Sequence, residues 1–180
     1  MIADTLLFGS REYFFMLALL LFARGMDFFS TWIATPTLAL EGNPLAKKMG
    51  WKLGGVVNLA LCLTFAFWPL TAIIVVTAGL LVAAHNFHNA WLMRSMGEEA
   101  YRHWFLERIS HTRRPLYILC LLGETFLTGL VGAGLLWFAR MDSVPFAIGS
   151  GIVAYAVIVL FYTSLSLWRA RRQVEYSQGE

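Results

Sequence analysis

Runs of about 20 apolar residues recur along the chain, and they limit its fold more than any other feature. A run of this length needs about 30 Å of hydrocarbon to bury it as a helix. Of the 180 residues, 58% are hydrophobic and only 14% are charged, which is rare in soluble domains. The sequence therefore predicts an all-α, polytopic membrane helical bundle that forms a single integral membrane domain over residues 1–180.

Helix-breaking residues divide the apolar background into five predicted spans. The turn from Glu41 to Pro44 ends the first span, and there Asn43 caps a short helical turn that has Pro44 at its first position. The five predicted spans cover residues 12–40, 52–67, 71–96, 115–138 and 145–168. Between the third and the fourth, residues 97–109 place aromatic side chains at helical spacing against charged ones, which predicts a helix lying in the membrane interface.

The distribution of lysine and arginine predicts the orientation of these spans. Eleven of the 14 basic residues fall on one side, Arg11 and Arg140 fall on the other, and Arg24 lies within the first span. The eleven are Lys47, Lys48, Lys52, Arg94, Arg102, Arg108, Arg113, Arg114, Arg169, Arg171 and Arg172. Because cytoplasmic loops carry the excess of basic residues, we expect a plasma (inner) membrane protein with its first terminus outside and its last in the cytoplasm.

Strongly polar residues within the spans are the candidate site, because such groups are costly in hydrocarbon and usually face protein or water. The densest stretch runs from His85 to Asn89, inside an apolar run from Thr71 to Met93. A rise of about 1.5 Å per residue places the polar groups of four helices in one layer on the cytoplasmic side. The members of this layer are Asp27, Glu41, Asn43, Asn58, His85, Asn86, His88, Asn89 and Glu124.

His85 and His88 are three residues apart, so they share one helix face and are suited to holding one cation. Asp27 and Glu124 are the carboxylates available within the spans, and Glu41 is the next. Two histidines with one or two carboxylates suit zinc, iron or manganese about equally. Two alternatives stay open: the polar groups bind substrate without a metal, or they form interhelical hydrogen bonds that only hold the bundle together.

Two further patterns have simple structural interpretations. Arg24 and Asp27 are also three residues apart, which predicts an ion pair within one helix. Glycines at 129, 132 and 134, and the Gly149-Ser150-Gly151 segment in the last span, predict close helix packing.

The residues from Asp27 to Thr31, the Glu41-Gly42-Asn43-Pro44-Leu45 turn and Lys52 together resemble a family of small prokaryotic membrane proteins classed as a domain of unknown function. Members of that family have an aspartate and a threonine in one helix, a Glu-x-Asn-Pro-Leu turn and a basic residue that opens the next helix. The resemblance covers roughly residues 24 to 90, and this chain adds the interfacial helix and two further spans. It implies a common site for Asp27, Glu41 and Asn43, and no particular reaction.

These patterns predict a membrane-embedded, metal-dependent enzyme, such as a hydrolase, that acts on a lipid or lipid-linked substrate from a pocket facing the cytoplasm. A metal there would lower the pKa of bound water to about 7. The predicted catalytic residues are Glu124, Asp27 and Glu41, with metal ligands His85, His88, Asp27 and Glu124. The predicted substrate-binding residues are Arg24, Asn43, Asn58, Asn86 and Asn89.

Other classes of function fit the same residues. A small transporter or solute-binding membrane subunit would use the polar layer to hold a cytosolic solute, and an accessory subunit would pair it with a membrane-complex partner or a second copy. No basic stripe with interleaved aromatic residues indicates a nucleic-acid partner. Membrane lipid is the expected partner.

Overall fold

The computed structural model describes residues 5–178, with side chains described through residue 173. Within these residues the chain forms helices and no strand. The helices are α1 (Arg11–Ala34), α2 (Pro44–Phe65), α3 (Pro69–Met96), α4 (Glu98–His111), α5 (Arg114–Phe138) and α6 (Val144–Gln178). Four helical segments, namely α1, α3, α5 and Val144–Gln173, are long and apolar enough to cross a membrane. The chain is therefore an all-helical integral membrane protein.

The first helix is shorter than expected. It ends at Ala34 instead of continuing to residue 40, and Thr35 after it has the non-helical backbone angles φ −146° and ψ 80°. Pro36 explains the early end, because the ring of a proline disfavours helical backbone at the residue before it. The predicted cap at Asn43 is present, since its side-chain oxygen accepts hydrogen bonds from the Leu45 and Ala46 amides at 3.0 and 3.4 Å.

The second helix has two parts and returns along α1. Gly50 separates the parts with a left-handed φ of 66°, so a short segment precedes the longer one, as the sequence predicts. The far end of α2 lies beside the start of α1, where the Tyr13 hydroxyl donates to the Leu63 carbonyl at 3.2 Å. Lysines at 47, 48 and 52 make its first half less apolar, and α2 is not among the four span-like helices.

The long helices pack in the order α1, α3, α6, α5, while α2 lies against α1 and α3. The start of α1 is tied to the turn before α3 by a 2.8 Å hydrogen bond from the Leu6 amide to the Phe67 carbonyl. The end of α1 is followed by Thr35, which contacts Glu98 just beyond α3. The helices α1 and α3 are therefore parallel, and their contacts bring the residues after Ala34 to the start of α4.

Glycines bring α6 close to both of its neighbours. A Cβ atom placed on Gly132 of α5 would lie 2.9 Å from the Gly149 carbonyl oxygen, and one on Gly151 would lie 2.8 Å from the Ile74 carbonyl oxygen of α3. The predicted role of these glycines in close packing is confirmed, and Gly129 also faces α6. Gly134 differs, because a Cβ there would meet no other atom within 4 Å.

The fourth helix covers the end of the bundle at which α3 ends and α5 begins. It packs on α6 and α3. Arg171 of α6 holds the last turn of α4 in place. Its Nη2 donates hydrogen bonds to the carbonyls of Ile109, at 3.3 Å, and Thr112, at 2.9 Å. The predicted interfacial helix over residues 97–109 thus exists as a helix with nearly the expected bounds.

Candidate functional site

The side chain of Asn86 joins α3 to α1 through three polar groups. Its amide nitrogen lies 3.5 Å from Oδ1 of Asp27, 3.3 Å from Oγ of Ser30 and 3.3 Å from Oγ1 of Thr31. Ser30 is completely buried, and its hydroxyl donates to the Asp27 carbonyl at 2.9 Å. We call Arg24, Asp27, Ser30, Thr31, Asn58 and Asn86 the α1–α3 polar cluster.

Arg24 extends this cluster to α2. Its Nη1 lies 2.9 Å from Oδ2 of Asp27, which confirms the predicted ion pair within α1. Its Nε donates to Oδ1 of Asn58 at 2.7 Å, and Asn58 donates onward to the Gly54 carbonyl at 2.8 Å. Both carboxylate oxygens of Asp27 therefore have partners, and the predicted substrate-binding residues Arg24 and Asn58 contact each other.

Glu41 lies close to the cluster although it belongs to the loop after α1. Burial is the main factor that raises its pKa, and the negative charge of Asp27 raises it further, while the Asn43 amide and Lys47 act in the opposite direction. The Asn43 amide donates to Oε1 of Glu41 at 2.8 Å. The structure thus brings Asp27, Glu41 and Asn43 to one end of α1, the three residues that the family resemblance links.

A second group at this end, around Glu98, was not recognised from the sequence. Oε1 of Glu98 accepts from the Thr35 hydroxyl at 2.8 Å and from the Thr37 amide at 3.0 Å, and Oε2 accepts from the Thr37 hydroxyl. Burial alone raises the pKa of Glu98, but the hydrogen bonds from Thr37 and Thr35 and the charge of Arg94 together lower it below its ordinary value. The signal in the sequence was two threonines flanking Pro36, with a carboxylate in the first turn of a helix.

His85 and Glu124 form a separate pair on the other side of α3. Nδ1 of His85 lies 3.4 Å from Oε1 of Glu124, and their side chains are 34% and 48% exposed. The ring of Tyr155 in α6 lies 6.4 Å from the imidazole in an edge-to-face arrangement. The pair therefore lies next to α6. One of its side chains comes from α3 and the other from α5.

Because α3 and α5 both pack on α6 and not on each other, we call the space over α6 between them the His85–Glu124 cleft. In the described part of the chain α3 and α5 do not pack against each other, and α6 lies between them. Ala78, Leu121, Tyr155 and Val159 from the three helices make a buried apolar cluster at its base. The His85–Glu124 contact thus bridges α3 and α5 above a buried apolar cluster.

The remaining members of the predicted layer are not part of either group. His88 is exposed, and Asn89 is half-buried. Neither makes a hydrogen bond or ion pair with a side chain among residues 5–173. The structure therefore separates His85 from His88 in environment, although the two lie on neighbouring turns of α3.

The four predicted metal ligands do not come together in one group. His85 and Glu124 are in contact, whereas Asp27 is paired with Arg24 and Asn86. Among the described side chains no three histidine, cysteine, aspartate or glutamate residues come together as a group that could hold a metal ion. His85 and Glu124 supply two groups of the type that a divalent metal prefers, so further ligands there would have to be water or substrate.

Comparisons of this chain with protein-family models, with curated proteins and with solved structures gave no match.

Proposed function

We propose that the protein is a membrane-embedded enzyme that acts on a lipid or lipid-linked substrate, with His85 and Glu124 as its acid–base pair. The observation that carries the proposal is the 3.4 Å contact between the imidazole and the carboxylate across the cleft. Two ionisable groups within apolar helices are costly, and α6 already joins α3 to α5 without them. A role in packing therefore accounts poorly for their presence.

The arrangement suits proton transfer. A carboxylate beside Nδ1 favours the tautomer with the proton on that nitrogen, so the other ring nitrogen, Nε2, is left as an acceptor. Nε2 would take a proton from water or a substrate hydroxyl while Glu124 stabilises the imidazolium that forms. Because both side chains are partly exposed, a lipid that enters between α3 and α5 has access to them.

The proposal includes five membrane spans, with α2 crossing beside α1, and places the basic end of the bundle in the cytoplasm of the plasma membrane. Support comes from the eleven lysines and arginines that flank the helices at one end. In this orientation the α1–α3 polar cluster and the His85–Glu124 pair both lie in the cytoplasmic half. We assign substrate orientation to Asn89, which lies one turn after His85 on the same face of α3, whereas Asp27 and Asn86 lie on the other side of that helix.

Lipid analysis of cells tests the proposal. The full chain and the variants His85→Gln and Glu124→Gln are expressed, and total lipids are compared by mass spectrometry. We expect the amount of one lipid to change in cells that express the unaltered chain. In cells that express either variant, the amount of that lipid should stay the same. His103→Gln and Glu107→Gln are matched controls, because both residues are exposed on α4. Identical lipid profiles for all five proteins would exclude the proposed activity.

The involvement of zinc, iron or manganese is a separate question with its own measurement. Elemental analysis of the purified protein is compared with that of His85→Ala and His88→Ala. Metal at one equivalent that is lost in the His85 variant supports a metal-assisted reaction in which the ion lowers the pKa of bound water to about 7. Less than stoichiometric metal in the active protein removes the metal from the proposal and leaves the acid–base pair.

Transport or solute binding is a second candidate, and the proximity of Glu41 to Asp27 favours it. The charge of Asp27 adds to burial in raising the pKa of Glu41, and a carboxylate with a raised pKa can couple a solute to proton movement. Purified protein in vesicles would then show solute uptake or a pH-dependent current, which Glu41→Gln abolishes and His85→Gln leaves intact. Product formation that depends on His85 would instead favour the enzyme.

A further inference from the structure

A groove runs along the surface between α5 and α6. The two helices are in close contact where Gly132 meets Gly149. Towards the start of α5 they enclose a cavity of about 520 Å³, and a second cavity of about 600 Å³ continues from it, sharing Leu122 and Leu160 in its wall. The two cavities form one continuous depression, which we call the α5–α6 groove.

The two ends of this groove differ in character. Arg114, Arg171, Arg172, Tyr117, Trp168 and Ser164 line the end near the start of α5. Beyond Leu122 the lining is almost wholly apolar and extends to Gly129 and Val153. From residue 114 to residue 129 the groove is about 22 Å long at about 1.5 Å per residue, which exceeds the ~15 Å of hydrocarbon in one leaflet.

Two arginines at the basic end, Arg171 and Arg172, have no acidic partner among the described side chains. No carboxylate from residues 5–173 forms an ion pair with Arg171 or Arg172, and none of the acidic residues in that range lines this cavity. Nε of Arg171 is buried and has no hydrogen-bond acceptor among the described atoms. The Arg172 guanidinium lies 4.3 Å from the centre of the Trp168 ring, which holds it at the mouth of the groove.

We infer that the α5–α6 groove binds an anionic phospholipid of the surrounding membrane. The phosphate lies at Arg172, since arginine pairs with phosphate oxygens through its planar fork of donors, and Arg171, whose Nη2 already donates to the Ile109 and Thr112 carbonyls, adds its positive charge. One acyl chain lies along Leu122, Leu160 and Val153. Trp168 and Tyr117 fit this arrangement, because aromatic residues prefer the level of the lipid headgroups. This site is distinct from the His85–Glu124 cleft and does not depend on the proposed reaction.

Native mass spectrometry of the full chain in neutral detergent tests the inference. Phosphatidylglycerol and phosphatidylcholine with identical acyl chains are added separately, and the bound fraction is measured for each. We expect phosphatidylglycerol to bind more tightly, and Arg172→Gln to weaken it about fivefold, which corresponds to about one basic side chain at an anionic lipid surface. The double variant with Arg171→Gln is expected to lose about 25-fold. Equal retention of the two lipids by the unaltered chain would overturn the inference.

Arg169→Gln is the matched control, because Arg169 is an exposed arginine of the same helix that does not line the groove. It is expected to keep full preference for phosphatidylglycerol. A loss equal to that of Arg172→Gln would mean that only the overall positive charge matters, and would overturn the assigned site. Since Arg172 makes no hydrogen bond or ion pair with residues 5–173 and lies over the exposed Trp168 ring, its variant tests the site even if Arg171→Gln fails to fold.

Two further arms distinguish a lipid from a free anion. Sodium phosphate at millimolar concentration is expected not to displace phosphatidylglycerol, and full displacement would indicate a site for inorganic phosphate. Gly123→Leu places a side chain in the apolar part, where a Cβ meets no other atom within 4 Å. We expect it to lower lipid binding, whereas unchanged binding would show that no acyl chain lies in the groove.

Discussion

Thr35 and Glu98 are joined by a 2.8 Å hydrogen bond although 63 positions separate them in the sequence. Thr35 is also buried and accepts a hydrogen bond from the Leu40 amide at 3.1 Å. The same carboxylate receives the amide and hydroxyl of Thr37. Glu98 therefore anchors the loop that follows α1 to the first turn of α4, and this loop carries Glu41 to the α1–α3 polar cluster.

Replacing Glu98 by alanine is expected to destabilise the protein. The change leaves the Thr35 hydroxyl and the Thr37 amide without their acceptor, which costs about 1–2 kcal/mol for partly solvated groups. Thermal unfolding in detergent provides the measurement. Glu99→Ala is the matched control, because Glu99 is its exposed neighbour in the same helical turn. Equal losses of stability in both variants would contradict the assigned role of Glu98.

The contribution of Glu98 is expected to depend on pH. Because its hydrogen bonds favour the ionised form, its pKa lies below the ordinary 4.5 in the folded protein. The stabilisation is then fully present above pH 4.5 and is lost as the pH falls through the lowered pKa. We expect the difference in unfolding temperature between the unaltered chain and Glu98→Ala to shrink in that range. A difference that stays constant down to pH 3 would disprove this dependence.

The opposite dependence is expected for Glu41. Burial and the charge of Asp27 raise its pKa above the ordinary 4.5, so ionisation costs more in the folded protein than in the unfolded chain. Its presence therefore lowers stability as the pH rises from 4.5 through the raised pKa. Glu41→Gln keeps an acceptor for the Asn43 amide and removes the charge, so it should unfold at a higher temperature than the unaltered chain at pH 8. No gain at pH 8 relative to pH 4 would refute this expectation.

Asn86 and Asn89 provide a matched pair for testing the α1–α3 polar cluster. Asn86 contacts three polar groups of α1, whereas Asn89 has no hydrogen bond with a side chain of residues 5–173. Asn86→Ala should cost about 1 kcal/mol, a size typical of interhelical hydrogen bonds in membranes. Asn89→Ala should cost much less. Equal unfolding free energies for the two variants would show that the contacts of Asn86 do not stabilise the bundle.

Gly151 is expected to tolerate no larger residue. A Cβ on it would lie 2.6 Å from Cβ of Thr77 and 2.8 Å from the Ile74 carbonyl oxygen, and neither atom is the end of a flexible side chain. Gly151→Ala must then separate α3 from α6 at a cost of about 1–3 kcal/mol. Gly123→Ala in α5 is the control, since its Cβ would meet open space. An unfolding temperature for Gly151→Ala equal to that of the control would contradict the close contact.

Helix positions followed from the sequence because breaking residues and apolar runs are local signals. Asn43 and Pro44 marked the start of α2, and glycines marked close crossings. The end of α1 before Pro36 differs from the predicted end because Leu38, Ala39 and Leu40 beyond it are apolar enough to continue a span. Local patterns therefore located the helices well and their ends less well.

The grouping of polar residues could be predicted only in part, because depth in the membrane does not determine direction around a helix. His85 and Asn86 are neighbours in sequence, yet successive residues point about 100° apart. One contacts Glu124 and the other faces Asp27. Which neighbour each side chain meets depends on the packing order of α1, α3, α6 and α5, which no local pattern contains.

The helices α1 and α3 pack on each other although α2 lies between them in the sequence, and this has a consequence for biosynthesis. Asp27 leaves the ribosome 59 residues before Asn86, which at about 5–20 residues per second is a delay of roughly 3–12 s. During that interval the only partner for its carboxylate within the same helix is Arg24, one turn earlier. The charges of Arg24 and Asp27 can therefore neutralise each other within α1 before any residue of α3 has been made.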